Sequence, residues 1–208
     1  MANLKIENEI VVGNVEDKAN LKNPIGVRLV EQFDATFFRL LDQVKPESIH
    51  EVGCGEGRLA LEMHRRKSVY LRGTDISEVL IPDLKSKKIK NTSFETKSIY
   101  DLEPTVDHAD VIVCCEVLEH LDDPVKALRV LHSLGARKYI LSVPREPIWR
   151  ILNMARLKYL PDFGNTPGHF QNWSSKGFVK LLETNGFRVE TIKKPLPWTM
   201  VVAETREY

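Results

Sequence analysis

The stretch Ile49-His50-Glu51-Val52-Gly53-Cys54-Gly55-Glu56-Gly57-Arg58 decides the fold. A short apolar run enters it, a glycine-dense turn follows, and Leu59-Ala60-Leu61-Glu62-Met63 continue as good helix formers. Strand, Gly-x-Gly-x-Gly turn and helix make the first corner of a nucleotide-binding α/β unit. The glycines let the backbone turn tightly and pass close to a ligand, where a Cβ would obstruct both. Asp75 lies 18 residues after Gly57, at the end of a second apolar run, Val69–Asp75. A carboxylate there is placed to accept hydrogen bonds from the two hydroxyls of a ribose. The plainer reading of Asp75 is a turn residue or a helix N-terminal charge.

Outward from this corner the α/β alternation continues. Further strands are expected at Ser93–Ser98, Asp110–Cys115 and Lys138–Val143, with the first at Ser48–Val52. Helices are expected over 57–66, after the cap residue Ser77 where Pro82 limits the start, and from Asp123-Pro124 to Leu134. Upstream, Leu29, Val30, Phe33, Phe37, Leu40, Leu41 and Val44 recur at helical spacing over Val27–Val44. Residues 1–24 read as an N-terminal arm. The pattern breaks at residues 145–173, an insertion on the substrate side of the fold. It reads as a short amphipathic helix, Pro147–Tyr159, and a Gly/Pro-rich loop, Asp162–Trp173. Ser174 caps a helix through Thr184, and Phe187–Ile192 and Thr199–Thr205 close the chain as strands. Residues 1–208 thus read as one three-layer α/β domain, a mostly parallel sheet with helices on both faces and ligands beyond the carboxyl ends of the strands.

Composition narrows the class. A hydrophobic fraction of 42% and a charged fraction of 28% are those of a soluble globular chain. Thirty basic and 29 acidic residues leave a formal net charge of +1, so there is no global pull toward nucleic acid or anionic membrane. Only a local basic patch would supply one. Three cysteines, with Cys114 and Cys115 adjacent, make no disulfide framework, and a reducing cytoplasm is the expected location. The first ten residues lack an apolar signal core, and no run reaches the ~18 apolar residues of a membrane span.

Three motifs together resemble one family. They are Glu51-Val52-Gly53-Cys54-Gly55-Glu56-Gly57, then Gly73-Thr74-Asp75, then Asp110-Val111-Ile112-Val113-Cys114-Cys115-Glu116. Over about residues 48–143 the chain is similar to the class I S-adenosylmethionine-dependent methyltransferases. A dehydrogenase fingerprint would keep Gly-x-Gly-x-x-Gly, whereas here the third glycine comes one residue early and an acid opens the motif. The resemblance implies a Rossmann-like seven-stranded sheet in the order 3-2-1-4-5-7-6 with the last strand antiparallel. It implies that Glu51 orders the loop and serves the methionine end of the cofactor, and that Gly53, Cys54, Gly55 and Gly57 bring backbone to it. It also implies that Asp75, with Ile76 beside it, binds the ribose. Many relatives place an acid after the third strand to meet the adenine. Here Ser98 holds that place, which leaves Ile99 and Asp101 as the adenine-side candidates.

The end of the fourth strand carries the remaining chemistry. Glu116, Glu119 and His120 stand at i, i+3 and i+4, a spacing that would place all three on one face of a helical turn. Cys115 precedes them as a candidate lining of the cofactor pocket. His169 sits four residues before Trp173 in the insertion. A Glu-x-x-Glu-His cluster with a later His before a Trp resembles the small-RNA 2′-O-methyltransferases, where all four residues bind a divalent metal. The Glu-x-x-Glu-His part is also similar to the ubiquinone-pathway O-methyltransferases. Two readings stay open at this point: Glu116, Glu119, His120 and His169 hold one divalent cation, or they are metal-free residues of the pocket floor. Arg145, directly after the fifth strand, is a candidate for an anionic substrate group or an exposed ion pair. The expected activity is methyl transfer from S-adenosylmethionine to a small or lipid-like hydroxyl acceptor, with Glu116, Glu119 and His120 as catalytic residues. A catalytically silent nucleotide-binding subunit, an enzyme acting on an RNA ribose, and a dinucleotide oxidoreductase are the alternatives. Nothing in the sequence sets the oligomeric state.

Overall fold

Seven stretches rich in β-branched and other apolar residues pair into one sheet in the computed structural model, which describes residues 6–7, 10–11 and 23–206. They are β1 (Ser48–Val52), β2 (Tyr70–Asp75), β3 (Thr92–Thr96), β4 (Val111–Cys115), β5 (Lys138–Pro144), β6 (Phe187–Lys193) and β7 (Trp198–Thr205). Their order is 3-2-1-4-5-7-6, as the resemblance implied. Strands β1 to β5 run parallel, and β7 is antiparallel to both β5 and β6. Most of the expected N-terminal arm lies outside the described residues. Within it, Ile6–Glu7 pairs antiparallel with Ile10–Val11.

Six α-helices accompany the sheet among the described residues: α1 (Pro24–Val44), α2 (Arg58–Arg66), α3 (Leu80–Ser86), α4 (Pro124–Ser133), α5 (Ile148–Ala155) and α6 (Ser175–Thr184). The period-2 geometry of β4 divides its apolar run between two cores. Val111 and Val113 join Phe37 and Leu41 of α1, Met63 of α2 and Leu84 of α3. Ile112 and Cys114 join Leu128 and Leu131 of α4 and Phe178 and Leu182 of α6. A strand buried on both faces is what the unbroken run Val-Ile-Val-Cys-Cys required.

Two helices depart from expectation for local reasons. The Ser77 hydroxyl accepts from the amides of Val79 and Leu80, yet the regular helix begins only at Leu80. Pro82 then falls in the first turn, where its missing N–H has no intrahelical role. The insertion helix stops at Ala155, short of the expected Tyr159, because Leu157 and Tyr159 take left-handed φ of 55° and 53°. A right-handed helix cannot pass through such residues. The other caps form as read: Asp123 accepts from Lys126 N at 2.9 Å and Ser174 from Gly177 N at 3.1 Å.

Candidate active site

The turn after β1 is built by backbone that only glycine tolerates. Gly53 has φ +75°, and a Cβ there would lie 2.2 Å from Cγ2 of Val117, in the turn after β4. The two turns therefore pack backbone to side chain at the carboxyl edge of the sheet. The amides of Gly53 and Cys54 both donate to the Thr74 carbonyl, at 2.7 and 3.0 Å. Gly55 N then donates to Asp75 Oδ2 at 2.8 Å, and Ser77 N to Asp75 Oδ1 at 3.0 Å. Asp75 thus faces the glycine turn from the end of β2, held by amides on both sides.

Glu51 is buried beneath the same turn, and burial is the main cause that pushes its carboxyl up to about 8. The Arg58 guanidinium opposes the shift, the charge of Asp75 adds to it, and a backbone bond from Ala60 opposes it. Arg58 is itself fixed by a bidentate pairing with Asp34. Glu51 Oε2 is buried with no hydrogen-bond partner among the described residues. An orphaned acceptor of this kind is costly unless a ligand donor completes it, which fits a cofactor amino group. Cys54 packs against the sheet and burial raises its thiol, so it lines the turn as an apolar neighbour rather than a thiolate. On the adenine side, Ile76 is exposed, Ile99 is buried in the α4-side core, and Asp101 is exposed on a 3-10 turn. The Ser98 hydroxyl caps that turn at Tyr100 N, 3.2 Å away.

The residues after β4 do not form the helical face that their spacing suggested. Cys115 ends the strand half-buried, and Glu116 bends the chain with φ +60°. Leu118–His120 then make a 3-10 turn. Glu116 points toward β5 and β7. Its Oε1 accepts from Ser142 Oγ at 3.1 Å and its Oε2 from Trp198 Nε1 at 2.5 Å. Glu119, His120 and His169 converge instead, with one ligand atom of each within 4.8 Å of the others. The structure brings together three of the four expected ligands and sets Glu116 outside that group.

Backbone bonds from the insertion assemble this trio. Phe170 N and Gln171 N both donate to the Glu119 carbonyl, at 2.9 and 3.1 Å. His120 Nδ1 donates to the Gly168 carbonyl at 2.8 Å, and Gln171 Nε2 to the Leu121 carbonyl at 3.3 Å. A carbonyl only accepts, so Nδ1 carries the proton and, in the neutral ring, Nε2 carries the lone pair. Nε2 stands 4.0 Å from Glu119 Oε1. The His169 ring meets the His120 ring edge-on at 4.8 Å, and Trp149 lies 5.8 Å from His169 and 5.7 Å from Trp198. Trp198 and Ser142 are site neighbours that sequence reasoning did not assign, and no local pattern marks Trp198 as a partner of an acid 82 residues away.

Comparison with known proteins agrees with this fold. A family profile described as a methyltransferase domain matches residues 28–192. The ubiquinone biosynthesis O-methyltransferase of Coxiella burnetii is 24% identical over 190 residues, covering 84% of this chain and 77% of the relative. Among solved structures, magnesium protoporphyrin IX methyltransferase of Synechocystis PCC 6803, with bound S-adenosylhomocysteine, has a TM-score of 0.67 at 18% identity over 90% of each chain. The methyltransferase domain of the bacterial protein CtHen1 has a TM-score of 0.66 at 24% identity, over 85% of this chain and 99% of that one. With the profile covering the whole glycine-turn corner and the sheet in the order 3-2-1-4-5-7-6, the chain belongs to the class I S-adenosylmethionine-dependent methyltransferase family.

Proposed function

We propose that this enzyme methylates a hydroxyl oxygen of a small or lipid-like acceptor, and that Glu119, His120 and His169 hold a divalent cation beside that hydroxyl. The carrying observation is the convergence of three metal-type ligand atoms within 4.8 Å, drawn from two segments 49 residues apart at the carboxyl edge of the sheet. Oxygen donors around one small cation lie roughly 3–4 Å apart, so a modest closure of these side chains would suffice. The Nδ1 bond from His120 to a backbone carbonyl is the outer contact that orients a ligating imidazole. The name of the Coxiella relative supports oxygen as the target atom and a lipid-like acceptor.

S-adenosylmethionine supplies an electrophilic methyl group whose leaving sulfide is neutral. The chain's work is therefore alignment and exclusion of water. Glu51 with its open Oε2 and Asp75 at the glycine turn would hold the two ends of the cofactor. A cation at the trio would lower the pKa of the acceptor hydroxyl and fix its position, and two adjacent hydroxyls would bind it best. Glu116, tied to Ser142 and Trp198, would stiffen the wall between the two sites.

The test is methyl transfer to catechol and sugar-diol acceptors before and after chelation, followed by add-back of Mg²⁺, Mn²⁺, Fe²⁺ or Zn²⁺. Chelation is expected to lower the rate at least about tenfold, with recovery on add-back. His120→Ala and His169→Ala should lose the metal-dependent rate while still binding S-adenosylhomocysteine. Full activity in chelator would make the trio a metal-free pocket wall. Transfer to nitrogen or carbon acceptors alone would remove the hydroxyl reading, and transfer to RNA alone would replace the small acceptor with a ribose.

A further inference from the structure

Two readings of Arg145 are open in the sequence, a contact with an anionic substrate group or an ion pair. The ion pair does not form. Among the described residues Arg145 Nε is buried with no hydrogen-bond partner, and no acid pairs with the half-buried guanidinium. The backbone that carries it is fixed on both sides. Arg145 N donates to the Pro197 carbonyl at 2.8 Å, its carbonyl accepts from Trp149 N at 2.9 Å, and it makes a parallel bridge with Trp173. Glu146 N then donates to the Trp173 carbonyl at 2.9 Å. An unmatched buried donor on a charged group is costly, and an arginine side chain does not shed its charge to escape the cost. The neighbouring Glu146 is different. Its Oε1 is also buried without a partner among the described residues, and its Oε2 accepts from Arg150 N at 3.4 Å. Burial is the main cause that raises its carboxyl, and a carboxyl can relieve such burial by taking a proton.

Arg145 also stands at the right edge of the sheet. It directly follows β5, three residues after the Ser142 that holds Glu116. The Glu119 carbonyl accepts from Phe170 and Gln171, and that same segment runs on to Trp173 beside Arg145. The backbones of Glu119 and Arg145 are thus two hydrogen-bonded spacings apart, roughly 10 Å, a gap that an arginine side chain and a small acceptor can fill together. We propose that Arg145 binds an anionic group of the methyl acceptor, a carboxylate or a phosphate, while the reacting hydroxyl lies at the turn after β4. The planar guanidinium offers parallel N–H donors that meet two oxygens of either anion at once. This binding rests on the acceptor lying at the carboxyl edge of the sheet, as proposed above, and not on the cation. The acceptor is then a small hydroxyl compound that is itself an anion.

Titration calorimetry on the full chain, loaded with S-adenosylhomocysteine and kept in chelator, tests this with paired probes. Protocatechuate is compared with catechol, and ribose 5-phosphate with ribose. The anionic member of at least one pair should bind at least about tenfold more tightly, since hydrogen bonds between charged groups are the strong ones. Which pair shows the preference separates carboxylate from phosphate. Arg145→Gln should erase the preference and Arg145→Lys should keep part of it, with S-adenosylhomocysteine affinity unchanged in both. If the urea midpoint of Arg145→Gln falls well below wild type, Arg145→Lys carries the comparison, with a loss of at least about threefold expected from the missing planar fork. Equal affinities within both pairs, no binding of either anionic probe, or a preference that survives in the folded variant would overturn the proposal. So would loss of S-adenosylhomocysteine affinity in a folded variant, since the guanidinium would then serve the cofactor. Neither metal nor methyl transfer is read, so a failure here leaves the hydroxyl and cation reading standing. Full activity in chelator would likewise leave Arg145 in its role.

Discussion

Asp75 is held at the glycine turn by contacts that the chain makes with itself. Its two oxygens receive the amides of Gly55 and Ser77, so the carboxylate both closes the glycine turn and faces it. Asp75→Ala should therefore weaken S-adenosylhomocysteine binding at least about tenfold, since hydrogen bonds to a charged group contribute about 1.5–3 kcal/mol. Asp101→Ala, at an exposed position on a 3-10 turn, should stay within about twofold. Calorimetry on both variants checks the pair, and equal losses would mean that Asp75 is a turn residue only. The placement of Asp75 and Glu51 at the glycine turn was legible in the sequence because strand, turn, helix and strand follow one another within some 25 residues, where spacing still constrains geometry. Glu116 was not, because its direction is set by Ser142 and Trp198, 26 and 82 residues further along. Spacing alone put it on a helical face with Glu119 and His120, and the left-handed bend at Glu116 moved it off that face.

Between elements, the turn after β1 and the turn after β4 constrain each other through one contact, Gly53 against Val117. Gly53→Ala adds a methyl group 2.2 Å from Val117 Cγ2 at a φ of +75°. Overpacking and left-handed strain together should cost about 2–4 kcal/mol, read as a lower urea midpoint, and should abolish cofactor binding. Adding Val117→Ala to that variant removes the clash but not the strain, so part of the midpoint should return. A midpoint in Gly53→Ala equal to wild type would show that the turns are not in contact. Elements with their own signals, such as the capped helices α4 and α6 or the unbroken run of β4, were readable to within a residue or two. The insertion was not, since its shape depends on left-handed residues at Leu157, Tyr159 and Phe163 and on Arg150 reaching back to bind carbonyls. None of these carries a turn signature of glycine or asparagine.

Across the whole molecule, two neighbouring residues of β1 tilt stability with pH in opposite directions. His50 is buried with Nδ1 donating to the Asp107 carbonyl at 2.7 Å and Nε2 at 2.9 Å from the Thr74 hydroxyl. Burial is the main cause that lowers it from 6.5 to about 4, with the Arg72 charge helping and the Asp107 bond opposing. Between those values the unfolded chain holds a proton that the folded one refuses, so stability rises with pH from about 4 to 6.5. Glu51 goes the other way. Its folded value of about 8 lies above 4.5, so the folded chain keeps a proton that the unfolded one releases, and stability falls as pH rises from 4.5 to about 8. Each slope is at most about 1.4 kcal/mol per pH unit, so the two cancel to a plateau between 4.5 and 6.5. Above 6.5 only Glu51 still titrates, and its decline continues to about 8. Urea midpoints at closely spaced pH values separate the two. Glu51→Gln should gain on wild type as pH climbs from 6.5 to 8, by at most about 2 kcal/mol, and gain little at pH 4.5. His50→Gln should lack the compensating rise and lose stability steadily across the former plateau. A Glu51→Gln difference that does not grow with pH would mean that Glu51 is already ionised beneath the glycine turn, and that its Oε2 meets a donor even before the cofactor binds.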